Sequence, residues 1–191
     1  MGQCETLISG EIFHWPVLCM LRDGRQGVLM KSVKNLIIFI FLFLLTTGSL
    51  WGAAEIKPGK LTTADKCPVC GMFVAKYPDF VAQIVFTDGA GAFFDGVKDL
   101  MKYYFDLPKY NPSKKSADIA GIFVTDYYNL KLIEGSAAWY VVGSDVYGPM
   151  GRELMPFQDE AAAKEFKVDH KGTSILLFKD ITPELIKTLD R

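Results

Sequence analysis

Hydrophobic and polar positions divide the chain into one uninterrupted apolar run and a long region of short alternating segments. The run Leu36–Leu45 contains only Leu, Ile and Phe. Further on, residues 80–86 and 137–142 are rich in β-branched and aromatic residues and are bounded by turn residues, which predicts strands. Between residues 97 and 105 the apolar positions recur at helical spacing, which predicts a helix with Asp95 as its N-cap.

The order of these segments occurs twice. Residues 82–105 and 138–166 each contain a strand, an Asp-containing turn, a short strand, a Phe-Asp or Phe-Gln-Asp sequence and a helix. Thr182 followed by Pro183 predicts the start of a last helix. Further strands are predicted over 119–128, 130–133, 154–157 and 174–178. The pattern therefore predicts an α+β fold built from two duplicated strand-strand-helix-strand units.

The apolar run is typical of an export signal. Positive residues precede it, small residues follow it, and it is shorter than a membrane-spanning helix, so we interpret residues 30–54 as a signal peptide cleaved after Ala54. A retained anchor in the inner membrane is the alternative. Residues 1–29 are interpreted as an over-extended start or an unstructured tail. The mature protein is therefore expected outside the cytosol.

Two further segments complete the predicted organisation. Residues 55–66 contain Pro, Gly and a Thr-Thr-Ala-Asp sequence and are interpreted as a linker. Residues 67–191 are interpreted as the folded domain. Half of the 191 residues are hydrophobic, which is enough for a packed core, and the net charge of −1 gives no basic surface for nucleic acid.

The chemistry-bearing segment is Cys67-Pro68-Val69-Cys70-Gly71-Met72, which places two thiols and a thioether within six residues. Structural zinc needs four ligands, and the domain has no other cysteine and only His170 as histidine, so zinc is disfavoured. A redox dithiol is an alternative, although C-x-x-C usually precedes a helix in that role. Cu(I) accepts two to four soft donors and suits this segment better.

Further copper ligands are expected from loops. Met150 lies between Pro149 and Gly151, where a methionine has little packing to do, and His170 lies in a turn. Asp95 and Asp99 are interpreted as a helix cap and a solvated face. The chain has no G-x-S-x-G elbow and no histidine pair in the domain for general-base chemistry.

Several ordered motifs resemble the NosL family, accessory proteins of nitrous oxide reductase that deliver copper to that enzyme. The resemblance covers about residues 65–182. It is carried by Cys70-Gly71-Met72, Ala82-Gln83-Ile84, Phe93-Phe94-Asp95, Gly143-Ser144, Gly148-Pro149-Met150-Gly151-Arg152-Glu153, Met155-Pro156-Phe157 and His170-Lys171-Gly172.

The resemblance implies a periplasmic Cu(I) carrier, not an enzyme, with a fold similar to that of organomercurial lyase. Cys70 and Met72 would hold the ion, and Cys67, Met150 and His170 are further candidates. The implied partners are nitrous oxide reductase, or another copper enzyme, and the membrane copper-loading machinery of denitrification. The chain departs from the family in having no lipidation cysteine at the predicted cleavage site and in having Lys171 after the histidine. A periplasmic thiol–disulfide oxidoreductase using Cys67 and Cys70 is the alternative function.

Overall fold

The computed structural model describes residues 35–36 and 56–190. The predicted tail 1–29 and nearly all of the predicted signal segment 30–54 lie outside the described residues. Within the described ranges, no helix has both the length and the apolar character needed to cross a membrane.

The first unit is an antiparallel sheet of four strands with one main helix. The strand order is β2-β1-β3-β4, so that β1 and β3 are central. Its elements are β1 (Ala82–Phe86), β2 (Gly91–Phe94), α1 (Val97–Phe105), the short helix α2 (Leu107–Tyr110), β3 (Ile119–Thr125) and β4 (Leu132–Glu134).

The second unit is an antiparallel sheet of three strands, in the order β8-β5-β9. A separate two-stranded hairpin is inserted between its first and second strands. The elements are β5 (Trp139–Val142), the hairpin strands β6 (Tyr147–Gly148) and β7 (Gly151–Arg152), β8 (Met155–Phe157), α3 (Glu160–Asp169), β9 (Ser174–Leu177) and the C-terminal helix α4 (Pro183–Thr188).

The two sheets have one topology. In each, the second strand pairs with one edge of the first strand, the third strand pairs with its other edge, and the main helix joins the second strand to the third. The predicted α+β fold is confirmed, and the predicted duplication corresponds to this shared order. Strand β4 is an addition to the first unit, and the β6–β7 hairpin is an addition to the second.

Apolar burial explains why α1 lies against its sheet. Leu100 and Met101 are fully buried on the inner face of the helix, and Tyr103 packs edge-to-face on Phe94 with ring centroids 5.1 Å apart. This larger core contains Cys67, whereas a smaller core of five buried residues lies under α3. The candidate chemistry is therefore built on the edge of the larger core.

One local prediction about α1 is wrong. Gly96, and not Asp95, occupies the N-cap position, and no side chain of that residue caps the helix. Pro108 lies in the first turn of α2, where its missing N–H costs nothing. Part of the segment 55–66 also contacts the domain, because Gly59 N–H donates to Gln83 Oε1 at 3.0 Å.

Candidate metal centre

The segment 67–72 folds into a tight turn that holds both cysteines. The Cys67 N–H donates to the Met72 carbonyl at 2.9 Å, and the Gly71 N–H donates to the Cys67 carbonyl at 2.8 Å. Gly71 has a φ of +78°, the left-handed region that glycine adopts without a Cβ clash. An antiparallel bridge between Lys66 and Phe73 closes the turn. Backbone geometry, not a disulfide, therefore fixes the two free thiols.

Four potential ligands converge at this turn. One ligand atom each from Cys67, Cys70, Asp95 and Asp99 lies within 4.8 Å of all the others. The Cys70 thiol donates to Asp95 Oδ1 at 3.2 Å, and the Cys67 thiol lies 3.5 Å from Asp99 Oδ2. The turn supplies the two sulfurs, and the start of α1 supplies the two carboxylates.

The sequence interpretation of the two carboxylates as cap and solvated face is wrong. Asp95 and Asp99 are 1% and 2% exposed, and one oxygen of each, Asp95 Oδ2 and Asp99 Oδ1, has no hydrogen bond in the described structure. Lys102 Nζ lies 3.4 Å from Asp99 Oδ1 and is shared with Asp190 at 2.7 Å. Buried carboxylates need a compensating charge, and this lysine compensates only part of it.

Both thiols are held in the protonated form in the metal-free protein. Burial raises the pKa of Cys67 far above its ordinary value, and it raises the pKa of Cys70 to about 11. The hydrogen bond to Asp95 adds to the increase at Cys70. Because a metal binds the thiolate, an incoming ion must displace these protons.

The donor set corrects the ligand count made from the sequence. Counting only cysteine and histidine left the C-x-x-C pair two ligands short of a four-coordinate site, whereas Asp95 and Asp99 supply two more donors. Thiolates are soft ligands and favour Cu(I) or zinc, while carboxylates suit harder ions. The cluster can therefore hold a thiophilic ion on its sulfurs with negative charge behind it.

Met150 lies at the tip of the hairpin formed by β6 and β7. Its side chain is 42% exposed, and its carbonyl accepts a hydrogen bond from Lys98 Nζ at 2.7 Å. This bond joins the hairpin to the helix that carries Asp99. Met72, at the other end of the tight turn, is half-buried. The assignment of both thioethers as ligands stays a prediction.

His170 lies in different surroundings. It is the C-cap of α3, its ring stacks near Phe166 with centroids 4.4 Å apart, and Nδ1 lies 3.1 Å from Asp145 Oδ1. The four-donor cluster of the described residues does not include it. Its role as a ligand also stays a prediction.

Glu153 is a buried acid at the end of the motif that contains Met150, and the sequence alone indicates no role for it. Its Oε1 accepts from the Lys98 N–H at 2.5 Å and from the Leu154 N–H at 2.9 Å. Burial raises the pKa of Glu153 to about 8, although these N–H donors and the Lys98 charge act in the opposite direction. Glu153 therefore provides the cap of α1 from a distant part of the chain.

The missed residues left a weak signal in the sequence. Asp95 and Asp99 are four residues apart at a helix start, a spacing that places both on one face. No local sequence pattern predicts the hydrogen bond between Lys98 and Glu153, because the two residues are 55 positions apart in the chain.

Comparison with known proteins identifies relatives of this chain. A chain from Stutzerimonas stutzeri named copper-binding lipoprotein NosL is 27% identical over 141 residues, which is 70% of each chain. The crystal structure of the copper chaperone NosL from Shewanella denitrificans superposes with a TM-score of 0.58 at 22% identity, over 67% of this chain and 97% of that one. The solution structure of apo-NosL from Achromobacter cycloclastes gives a TM-score of 0.40 at 29% identity, over 55% and 87% of the two chains. The sequence model of the NosL family matches residues 58–186, and the chain therefore belongs to that family.

Proposed function

We propose that this protein is a copper chaperone that carries Cu(I) on the cysteine sulfurs of the tight turn. The observation that carries the proposal is the convergence of Cys67, Cys70, Asp95 and Asp99 within 4.8 Å at the edge of the core. Two thiolates supply the soft donors that Cu(I) prefers. The names of the Stutzerimonas and Shewanella relatives support copper as the ion.

We assign Met72, Met150 and His170 as further candidate ligands. Met72 is supported by its position two residues after Cys70 in the same turn. Met150 is supported by the bond that its carbonyl makes to the helix of Asp99. His170 has the weakest support, because its Nδ1 is already paired with Asp145. A half-buried Cys70 and an exposed Met150 would leave the ion open to an incoming ligand, which favours transfer over storage.

The receiving partner is proposed from the family. Nitrous oxide reductase or another copper enzyme would take the ion, and membrane copper-loading machinery would take part in the transfer. We further propose export to the periplasm through the segment 30–54, in line with the lipoprotein name of the Stutzerimonas relative.

The alternative of a thiol–disulfide oxidoreductase is disfavoured by the surroundings of the thiols. Such enzymes need a cysteine whose pKa is lowered, usually at a helix N-terminus or beside a cation. Here burial raises the pKa of both cysteines, and the residues between the turn and β1 form only the two short 3₁₀ helices Val74–Lys76 and Pro78–Phe80.

Competition titration of Cu(I) against a chromophoric chelator tests the proposal on the reduced full-length protein. We expect one Cu(I) per chain, a loss of at least about 100-fold in affinity in Cys70→Ser, and about tenfold in Met150→Leu. Met101→Leu is the matched control, because Met101 is fully buried in the core of α1. A wild-type chain that takes up no Cu(I) would refute the proposal. Insulin reduction that depends on Cys67 would support the oxidoreductase.

A further inference from the structure

Two buried residues, Lys98 and Glu153, fasten the Met150 hairpin to the start of α1. The Lys98 N–H donates to Glu153 Oε1 at 2.5 Å, and the Lys98 ammonium donates to the Met150 carbonyl at 2.7 Å. Lys98 therefore makes two contacts with this region. Its main-chain N–H bonds Glu153, the residue that follows the hairpin, and its side chain bonds the carbonyl at the hairpin tip.

The ammonium of Lys98 cannot leave this position at low cost. The side chain is 2% exposed, and a lysine so buried is stable only when its charge is paired and its protons are bonded. Nζ lies 3.4 Å from the Leu189 carbonyl and 3.4 Å from Asp190 Oδ1, in addition to its bond with the Met150 carbonyl. The hairpin tip thus supplies one of a small set of partners that this charge requires.

Close packing around Glu153 also favours a fixed position of its side chain. A Cβ on Gly96 would overlap Glu153 Oε2, and a Cβ on Gly148 would lie 3.1 Å from the Glu153 side chain. Glycine at both positions lets the carboxylate enter between the start of α1 and the first strand of the hairpin. Glu153 is only 4% exposed, so these neighbours enclose its side chain.

We propose that Lys98 and Glu153 are positioning residues for the copper site. They hold Met150 at a fixed place relative to Asp95 and Asp99, which belong to the same helix start. A tip that is already ordered loses less conformational entropy when its thioether binds the ion, so affinity is higher than with a loose hairpin. The inference rests on the proposed function, in particular on Met150 as a copper ligand.

A double-mutant cycle between Lys98 and Met150 tests this inference. Lys98→Leu removes the ammonium without adding a sulfur that could bind Cu(I), and it leaves the main-chain bond to Glu153 in place. In the full-length reduced protein we expect Lys98→Leu to weaken Cu(I) binding about tenfold when Met150 is present. In the Met150→Leu background the same substitution should change the affinity by less than about twofold, because the ligand it positions is gone.

Copper K-edge absorption gives a second readout, since a lost Met150 ligand lowers the number of sulfur neighbours of the ion. We expect Lys98→Leu to lower it as Met150→Leu does. Lys164→Leu is the matched control, because Lys164 is an exposed lysine on α3 that pairs only with Glu160 in the described structure, and it should leave both readouts unchanged.

The outcomes separate the two proposals. If Cys70→Ser abolishes binding and Met150→Leu has no effect, copper carriage stands, and Met150 as a ligand fails together with the positioning role. If Met150→Leu weakens binding but the effect of Lys98→Leu is the same in both backgrounds, Lys98 acts through general stability and the positioning role is wrong. For Glu153, Gln should preserve the affinity and Ala should lower it, because only an oxygen acceptor is required. Equal loss in both variants would contradict its part of the inference.

Discussion

The two strand-strand-helix-strand units cap their main helices differently. In the second unit Asp159 is the N-cap of α3, and its Oδ1 accepts from the Ala162 N–H at 2.9 Å. In the first unit the N-cap position of α1 is Gly96, and the acid beside it, Asp95, accepts from the Cys70 thiol instead. The same class of residue at the same junction thus serves the helix in one unit and the thiols in the other.

The helix of the first unit receives its cap from the second unit. Glu153, which precedes β8, places Oε1 on the Lys98 N–H in the first turn of α1. Transfer of the cap to a distant residue leaves Asp95 to accept from the Cys70 thiol, and it connects the segment after the Met150 hairpin to the start of α1. In the first unit, the contacts that cap the helix therefore also connect the elements around the candidate site. In the second unit, the cap is a local residue, Asp159, with no such connection.

The largest expected effect that would test this comparison is the pH dependence contributed by Glu153. Its pKa is raised to about 8 from an ordinary value of 4.5, so the folded state binds more protons than the unfolded state between these values. Stability from this group is full below about pH 4.5 and is lost as pH rises toward about pH 8. The loss amounts to at most roughly 5 kcal/mol.

Urea unfolding of the wild type and Glu153→Gln at about pH 5 and about pH 8 measures this contribution. The wild type should lose more free energy of unfolding over that interval than the variant, because an amide does not ionise. Asp159→Asn, which keeps a good cap on α3, is the control and should follow the wild type. If the free energy of unfolding falls equally in the wild type and in Glu153→Gln between the two pH values, the pKa of Glu153 is not raised in the folded protein.

A second effect concerns the space that the distant cap requires. Gly96 has an extended backbone with φ −179°, which any residue can adopt, so only the lack of room for a Cβ beside Glu153 explains the glycine. We expect Gly96→Ala to lower the free energy of unfolding by about 3 kcal/mol through overpacking. Gly89→Ala should cost only about 1 kcal/mol, because Gly89 has φ +82° but open space around it. Thermal unfolding at constant pH compares the two variants, and equal losses would argue against a tight fit at Gly96.

The contrast between the two units also explains which features the sequence could predict. Period and turn residues are local, and they predicted α1 over Val97–Phe105 with the bounds that the structure has. They also predicted Thr182 as the N-cap of α4, where its hydroxyl accepts from the Leu185 N–H. The helix start at Asp95 was misjudged because local rules assign an acid before a helix to its cap, and the true cap lies 55 residues away from Lys98. For the site, the C-x-x-C-G-M segment was visible in the sequence, whereas the two buried carboxylates became donors only through tertiary packing.

The smallest expected changes in stability come from replacing Asp159 and Asp95, and this comparison separates the roles of the two acids most directly. Asp159→Ala removes a local cap and should cost about 1 kcal/mol without changing Cu(I) affinity. Asp95→Ala should cost less, since α1 keeps its cap from Glu153 and a buried carboxylate oxygen without a hydrogen bond disappears.

The main effect of Asp95→Ala should instead fall on Cys70. The thiol keeps the raised pKa that burial gives, but loses the further increase that comes from Asp95. Alkylation of Cys70 by iodoacetamide near neutral pH should therefore be faster in Asp95→Ala than in the wild type or Asp159→Ala, since the thiolate is the reacting form. Unchanged alkylation together with a loss of helix content in Asp95→Ala would mean that the first-unit acid serves its helix after all, as the second-unit acid does.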